Sequence, residues 1–299
     1  MTTRVSAATG AMAITVLLWA SAFVAIRYVD RQLQPGALAL GRLAVGSVAL
    51  GVVMLIRGER PPTGRALGFT VICGVLWFGV YNLALNAGER AVDAGTSALL
   101  VNIGPIFLAL LAGLILKEGF PRTLLAGCAI AFAGAAVIAI GVSSNGSNQL
   151  IGALECIAAA AAYAAGVVAQ KPALRTASAL SVTWAACTIG AIALLPWAPE
   201  LVREFGHSST PVIGWTIYLG IGPTAIGFLF WAYALARTDA GRLGSTTYLV
   251  PPLVVLIGWI TLSEVPPLLA LPGGLLCLLG VAFSRGAFRA RASSAQPDG

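Results

Sequence analysis

The chain has 299 residues, of which 58% are hydrophobic and only 10% charged. A soluble domain carries about 25% charged residues, and a single core of this size could not hide so much apolar surface. Composition therefore excludes a soluble protein and implies an integral membrane protein, and the net charge of +7 is spread too thinly to be a nucleic-acid footprint.

Apolar runs of about 20 residues, each able to cross about 30 Å of hydrocarbon, lie at 8–28, 36–56, 66–87, 93–116, 122–142, 150–170, 178–197, 211–236, 240–262 and 267–285. They are numbered below as spans one to ten. The first run also contains Ala20-Ser21-Ala22 after Arg4, the outline of a secretory signal. A related pattern recurs mid-chain, and a removed signal has no reason to be duplicated. Short polar stretches separate the runs, among them "RGERPPTGR", "SSNGSNQ" and "PELVREFGHSST". None could form a soluble domain, and residues 286–299 read as a disordered tail. Cys73, Cys128, Cys156, Cys187 and Cys277 all lie in apolar runs and form no CxxC pair. They read as buried thiols, neither a disulfide framework nor a metal site. His207, the one histidine, lies in a polar loop.

Lysine and arginine set the orientation. The N-terminus, the loops after even-numbered spans and the C-terminus hold thirteen of them, from Arg4 through Arg57, Lys117 and Lys171 to Arg291. The other side holds five: Arg27, Arg31, Arg42, Arg90 and Arg203. Both termini are expected in the cytoplasm.

The chain matches itself. At a shift of 146 residues, Asp93-Ala94-Gly95 falls on Asp239-Ala240-Gly241, Pro105 on Pro251, Glu118 on Glu264, Gly127 on Gly273 and Gly134 on Gly280. At a shift of 144, "WASAFVAIR" from Trp19 lands on "YAAGVVAQK" from Tyr163. This divides the chain into residues 1–142 and 150–285, two copies of a five-span unit. Because five is odd, the second copy enters from the opposite face. Such inverted repeats are typical of secondary transporters.

The same residues carry a family resemblance. "LLWASAFVAIRYV", "AGERAVDAGTSALLVNIGPIFLALLAGLILKE" and "ALARTDAGRLGSTTYLVPPLVVLIGWITLSE" resemble the EamA family of the drug/metabolite transporter superfamily, most closely its YddG-type amino-acid exporters. The resemblance covers essentially the whole chain. It implies an all-α membrane fold of ten transmembrane helices in two inverted five-helix repeats. It also implies a central substrate cavity and export of amino acids, other small metabolites and sometimes drugs from the inner membrane. Glu155 departs from the family, which usually has an apolar residue there.

Spans four and nine carry Gly104-Pro105 and Pro251-Pro252 near their middles. A helical proline donates no hydrogen bond and frees a carbonyl one turn back. In lipid such breaks survive only against protein or a water-filled cavity. The four residues read as paired gating hinges at the midplane, with static kinks as the plainer reading. Span eight has its own break at Gly220, Gly222 and Pro223, and span three has no proline to match it.

Candidate substrate-binding side chains are Trp19, Trp77, Phe78, Tyr81, Asn82, Asn102, Tyr163, Trp184 and Tyr248. At helical spacing Phe78, Tyr81 and Asn82 share one face. The polar tips of mid-span Tyr81, Asn82, Asn102, Tyr163 and Tyr248 need partners, so they either line a cavity or bond between helices. Trp197, Trp215 and Trp259 read as lipid-interface anchors. Charge is scarce at the midplane, with no lysine or arginine beside the Pro105 and Pro251 breaks, which favours a neutral or zwitterionic solute over a phosphorylated one. Glu155 is a candidate proton-coupling carboxylate, though it could pair with an arginine or reach the interface. Glu118 and Glu264 close their spans and suit capping of a neighbouring helix N-terminus.

The sequence lacks GxSxG, HExxH and P-loop patterns and an intramembrane histidine or aspartate pair, so an enzyme is disfavoured and no cofactor is expected. A structural subunit remains a weaker alternative. A multidrug exporter is the main rival within transport. Expected partners are the bilayer and a small solute, not nucleic acid, and the chain is expected as a monomer or weak homodimer.

Overall fold

The computed structural model describes residues 2–115, 122–143, 147–237 and 246–294. Its regular elements are all helical among those residues. In chain order they are α1 (Thr2–Val29), α2 (Pro35–Arg57), α3 (Gly64–Ala91), α4 (Ala94–Val101), α5 (Gly104–Ile115), α6 (Arg122–Ser143) and α7 (Ser147–Ala173). There follow α8 (Ala179–Ala193), α9 (Ala198–Phe205), α10 (Thr210–Leu235), α11 (Val250–Leu262) and α12 (Ala270–Ser294). Among the described residues, seven helical segments are long and apolar enough to cross a membrane, or eight if the bent pair at residues 179–205 is one span, against the ten spans read from the sequence. Large apolar side chains such as Leu55, Ile56, Trp259 and Leu268 face outward, as a lipid-facing surface requires.

Three elements differ from the sequence reading. The stretch after span seven is not a plain loop. Leu195–Trp197 makes a 3₁₀ turn, Pro199 starts α9, and this pair bends 54° from α8. Helix α12 continues to Ser294, through the residues read as a tail, and its alanines and arginines favour helix. Helices α3 and α10 each contain a π segment, at Gly74–Val80 and Gly220–Gly227. Such segments are rare and frequent at functional sites.

Glycines set how closely the helices approach. A Cβ on Gly134 of α6 would lie 2.5 Å from the Gly273 carbonyl of α12, and one on Gly280 would lie 2.6 Å from the Gly127 carbonyl. Cys277 Sγ donates to the Ala131 carbonyl at 3.3 Å across the same interface. Elsewhere, Gly46 of α2 abuts the Gly220 carbonyl and Thr224, and Gly190 of α8 abuts the Gly74 carbonyl and Phe78.

One face of the bundle is tied shut. Arg27 Nε donates to Glu264 Oε1 at 2.8 Å, and Arg27 Nη1 donates to the Glu89 carbonyl at 2.8 Å. Glu264 Oε2 accepts from the Ala94 N–H at 3.4 Å, at the N-terminus of α4. That is the capping role expected for Glu264; Glu118 lies outside the described residues. The Gln34 N–H donates to Glu204 Oε2 at 2.8 Å, and Arg90 bonds the Gln34 side chain. Asp30 is buried beside Arg27, 3.8 Å from it. Burial pushes its carboxyl up to about 6 against the pull of Arg27, Arg90 and Arg31.

Two predictions follow from the packing and from Asp30. Gly134→Leu should lower stability by about 1–3 kcal/mol, read as a lower melting temperature of the detergent-purified protein. Gly68→Ala, where a new Cβ meets nothing within 4 Å, should not. A raised carboxyl pKa means that the folded state holds the proton more tightly than the unfolded chain. The contribution of Asp30 is therefore most favourable below its unfolded pKa and is lost as pH rises to about 6. Asp30→Asn should melt above wild type at neutral pH, with the advantage fading as pH falls below about 6.

Candidate functional site

The breaks foreseen in spans four and nine meet around one cavity. Helix α4 ends at Val101, Asn102 and Ile103 form a turn, and α5 starts at Gly104 with Pro105 in its first turn. In the second half a 3₁₀ turn, Thr246–Leu249, leads into α11, whose first turn holds Pro251 and Pro252. Proline suits a helix start because its missing N–H has no acceptor to satisfy there.

The cavity is lined by side chains from α1, α2, α3, α4, α7, α10 and α11. It holds about 60 Å³, several times what one water needs. Of the candidate binding residues, Trp19, Trp77, Tyr81, Asn102 and Tyr163 line it, and so does Pro251. Gly104 lies behind it, under Tyr163: a Cβ there would fall 2.4 Å from the Tyr163 ring. Pro252 faces a separate apolar groove with Trp259 and Leu271, which Pro251 also borders.

The other candidates lie outside the lining. Phe78 is fully buried and packs on Phe228 with ring centroids 4.5 Å apart. Asn82 is also fully buried, and its Nδ2 donates to the Phe78 carbonyl at 2.7 Å. That bond gives an acceptor of the π segment a partner. Trp77 and Tyr81, one turn apart, line the cavity, while Phe78 and Asn82, one turn apart on the neighbouring edge of α3, turn into the core. Trp184 packs against Gly51 of α2. Tyr248 is half-buried against the cluster around Leu100 and Ile103. Glu155 is half-buried on α7, away from the lining.

The walls are aromatic. Trp19 stands 5.2 Å from Trp231 and 5.4 Å from Phe228, and Trp77 stands 5.2 Å from Tyr163 and 4.9 Å from Phe228. Sequence reasoning missed Phe228 in the lining and Trp231, buried behind it against Trp19. Their spacing of three within "FLFWAYAL" was the available signal, but it is also the spacing of ordinary helix core.

It missed Arg42 as well, and this changes the reading of the site's charge. Arg42 lies two turns inside α2, is 3% exposed and lines the cavity with Asn102 and Pro251. The expectation that no cation stands beside the breaks holds along the chain and fails in space. Arg42 Nε donates to Thr224 Oγ1, in the π segment of α10, at 3.2 Å. Its Nη1 is buried without a hydrogen-bond partner among the described residues, as are Trp19 Nε1 and Asn102 Nδ2. Buried N–H groups normally find an acceptor. Three unanswered donors around one cavity leave room for a ligand that supplies acceptors, a carboxylate above all.

Known proteins agree with this architecture. The model of the EamA-like transporter family matches the chain twice, over residues 7–140 and 150–286. The chain is 38% identical over 278 residues to a probable terminal-alkyne amino-acid exporter of Streptantibioticus cattleyicolor, covering 93% of each chain. It is 24% identical over 285 residues to a probable amino-acid metabolite efflux pump of Escherichia coli, covering 90% of this chain and 91% of that one. One solved crystal structure superposes with a TM-score of 0.64 over 95% of this chain and 98% of its own, at 20% identity, a likeness of fold alone. The double family match and the close relative agree with the apolar helices and their central breaks: the chain belongs to the EamA-like transporter family, and it is a multi-pass membrane transporter rather than an enzyme.

Proposed function

We propose that the protein exports amino acids with neutral or aromatic side chains, and related small metabolites, by alternating access around the cavity at the paired helix breaks. The observation that carries this reading is Arg42, a buried guanidinium with an unanswered N–H, set among aromatic rings beside Asn102. A guanidinium and an amide suit a carboxylate. Tryptophan and tyrosine rings suit an ammonium or an apolar side chain. A single cation in an otherwise uncharged lining suits a zwitterion better than a phosphate cluster or a cationic drug, so the multidrug reading falls behind. Both relatives named above are amino-acid or amino-acid-metabolite exporters by their descriptions.

In this reading the chain is two inverted five-span repeats, with both termini on the cytoplasmic side of the inner membrane. Reciprocal contacts support the repeat. Gly46 meets Gly220 and Thr224, as Gly190 meets Gly74 and Phe78, and the two π segments begin 146 positions apart. The twofold family match supports it too. Spans four and nine are the bending elements, and Pro105 and Pro251 keep their midpoints hinged.

Uptake of labelled L-leucine into proteoliposomes tests the substrate. Flux should saturate, and L-leucine should compete while isoamylamine, the same skeleton without the carboxylate, should not. Arg42→Gln should raise KM about tenfold to a hundredfold, the range for losing one charge-assisted hydrogen bond. Equal competition by the amine would contradict the carboxylate role. Pro105→Leu and Pro251→Leu should each slow turnover while leaving L-leucine affinity within about twofold; unchanged transport in both would remove the hinges.

A further inference from the structure

Glu89 plays no part in the site described so far. It sits in α3 one turn beyond Leu85, which lines the cavity, and its side chain is fully buried. Both carboxyl oxygens lack a hydrogen-bond partner among the described residues, although its backbone carbonyl accepts from Arg27 Nη1. Ionisable groups face it from several elements: Arg27 and Asp30 at the end of α1, Arg42 of α2, Glu264 after α11, Cys156 of α7, and Tyr81 on its own helix. Helix α4 and the π segment of α3 carry no ionisable side chain.

Two guanidiniums act on this carboxyl electrostatically, and neither makes a hydrogen bond to it among the described residues. Arg27 is held by Glu264 on the closed face, and Arg42 is held by Thr224 at the cavity. A carboxyl with no hydrogen-bond partner among the described residues takes its charge state from whatever cation or water comes near. The closed face covers one side of it, and the cavity lies a turn away on the other. Neither carboxylate is in the cavity lining, but Glu155 is only half-buried, whereas Glu89 is fully buried.

We propose that Glu89 is the proton-binding carboxyl of a substrate/proton exchange cycle, taking one proton inward for each substrate moved outward. The proposal rests on the reading that the cavity carries an amino acid. When Arg27 and Glu264 part, water on that face reaches Glu89. A hydronium ion gives up a proton, an O–H bond forms on the carboxylate, and water is left. When the face closes and the cavity opens to the cytoplasm, a substrate docks its carboxylate on Arg42. Its ammonium then lies near Glu89 and favours the ionised form. The O–H bond breaks and the proton passes to cytoplasmic water. Proton and ammonium are alternatives at one place, which makes the two fluxes opposite by linkage.

Two measurements on reconstituted full-length protein test this. The first needs no substrate: infrared titration of the protonated-carboxyl C=O stretch. Wild type should show a titrating band that is lost in Glu89→Gln, shifted in Glu89→Asp and kept in Glu155→Gln. The second is L-leucine flux with and without an opposing proton gradient. The gradient should speed flux several-fold in wild type and in Glu89→Asp, and the ratio should fall to one in Glu89→Gln. A band that survives Glu89→Gln, a band lost instead in Glu155→Gln, or wild-type flux indifferent to the gradient would overturn the proposal. Absence of any L-leucine flux would overturn the amino-acid reading, and the infrared titration then decides Glu89 by itself.

Discussion

A backbone that crosses hydrocarbon has no water to bond, so every N–H and C=O in it needs a partner inside the protein. The organisation of this chain follows from where that rule is strained. The turn at Asn102–Ile103, the 3₁₀ turn before Pro251 and the two π segments all interrupt regular helix, and they are gathered about the interior. Side chains then answer the displaced backbone groups, as Asn82 does for the Phe78 carbonyl. Glycines hold the surrounding helices close enough to seal the interior from lipid. The cavity is thus the place where irregular backbone can exist at all.

Its chemistry follows from its lining. Aromatic rings supply shape and an apolar surface. Arg42, Asn102 and Trp19 each supply a donor that finds no acceptor among the described residues. On one face the surplus is resolved differently: Arg27 reaches Glu264 and a backbone carbonyl, and Glu264 caps α4. One end of the bundle is therefore pinned by an ion pair that joins span one to the end of span nine. The cavity keeps its cation available. A transporter that alternates needs both features, a face that closes through bonds it can break and a site whose polarity is completed by its cargo.

Much of this was legible in the sequence, for identifiable reasons. Spans show because hydrocarbon demands long apolar runs. The Pro105 and Pro251 breaks show because proline cannot hide in a helix. Trp19 and Tyr163 show because repeat mates of the same kind stand midway in their spans. The failures are equally physical. A face read from period alone is broad, so Phe78 and Asn82 were grouped with Tyr81, although only the Trp77–Tyr81 edge of α3 reaches the cavity. Arg42 reads as a residue near a span end, yet α2 starts at Pro35 and carries it two turns inward to face Thr224. Glu89 reads as part of a span-ending "GER", yet the closed face buries it. Helix α9 was hidden in a polar stretch because its apolar side needs only a few residues.

Transport here depends on a substrate seated between the two broken helices with its carboxylate on Arg42. The most direct measurement is an experimental structure of the reconstituted protein with L-leucine bound. Ligand density should fill the cavity of Trp19, Trp77 and Tyr163, with the carboxylate against Arg42 and Asn102. Density confined to the outer groove beside Pro252 and Trp259, or a carboxylate pointing away from Arg42, would contradict it.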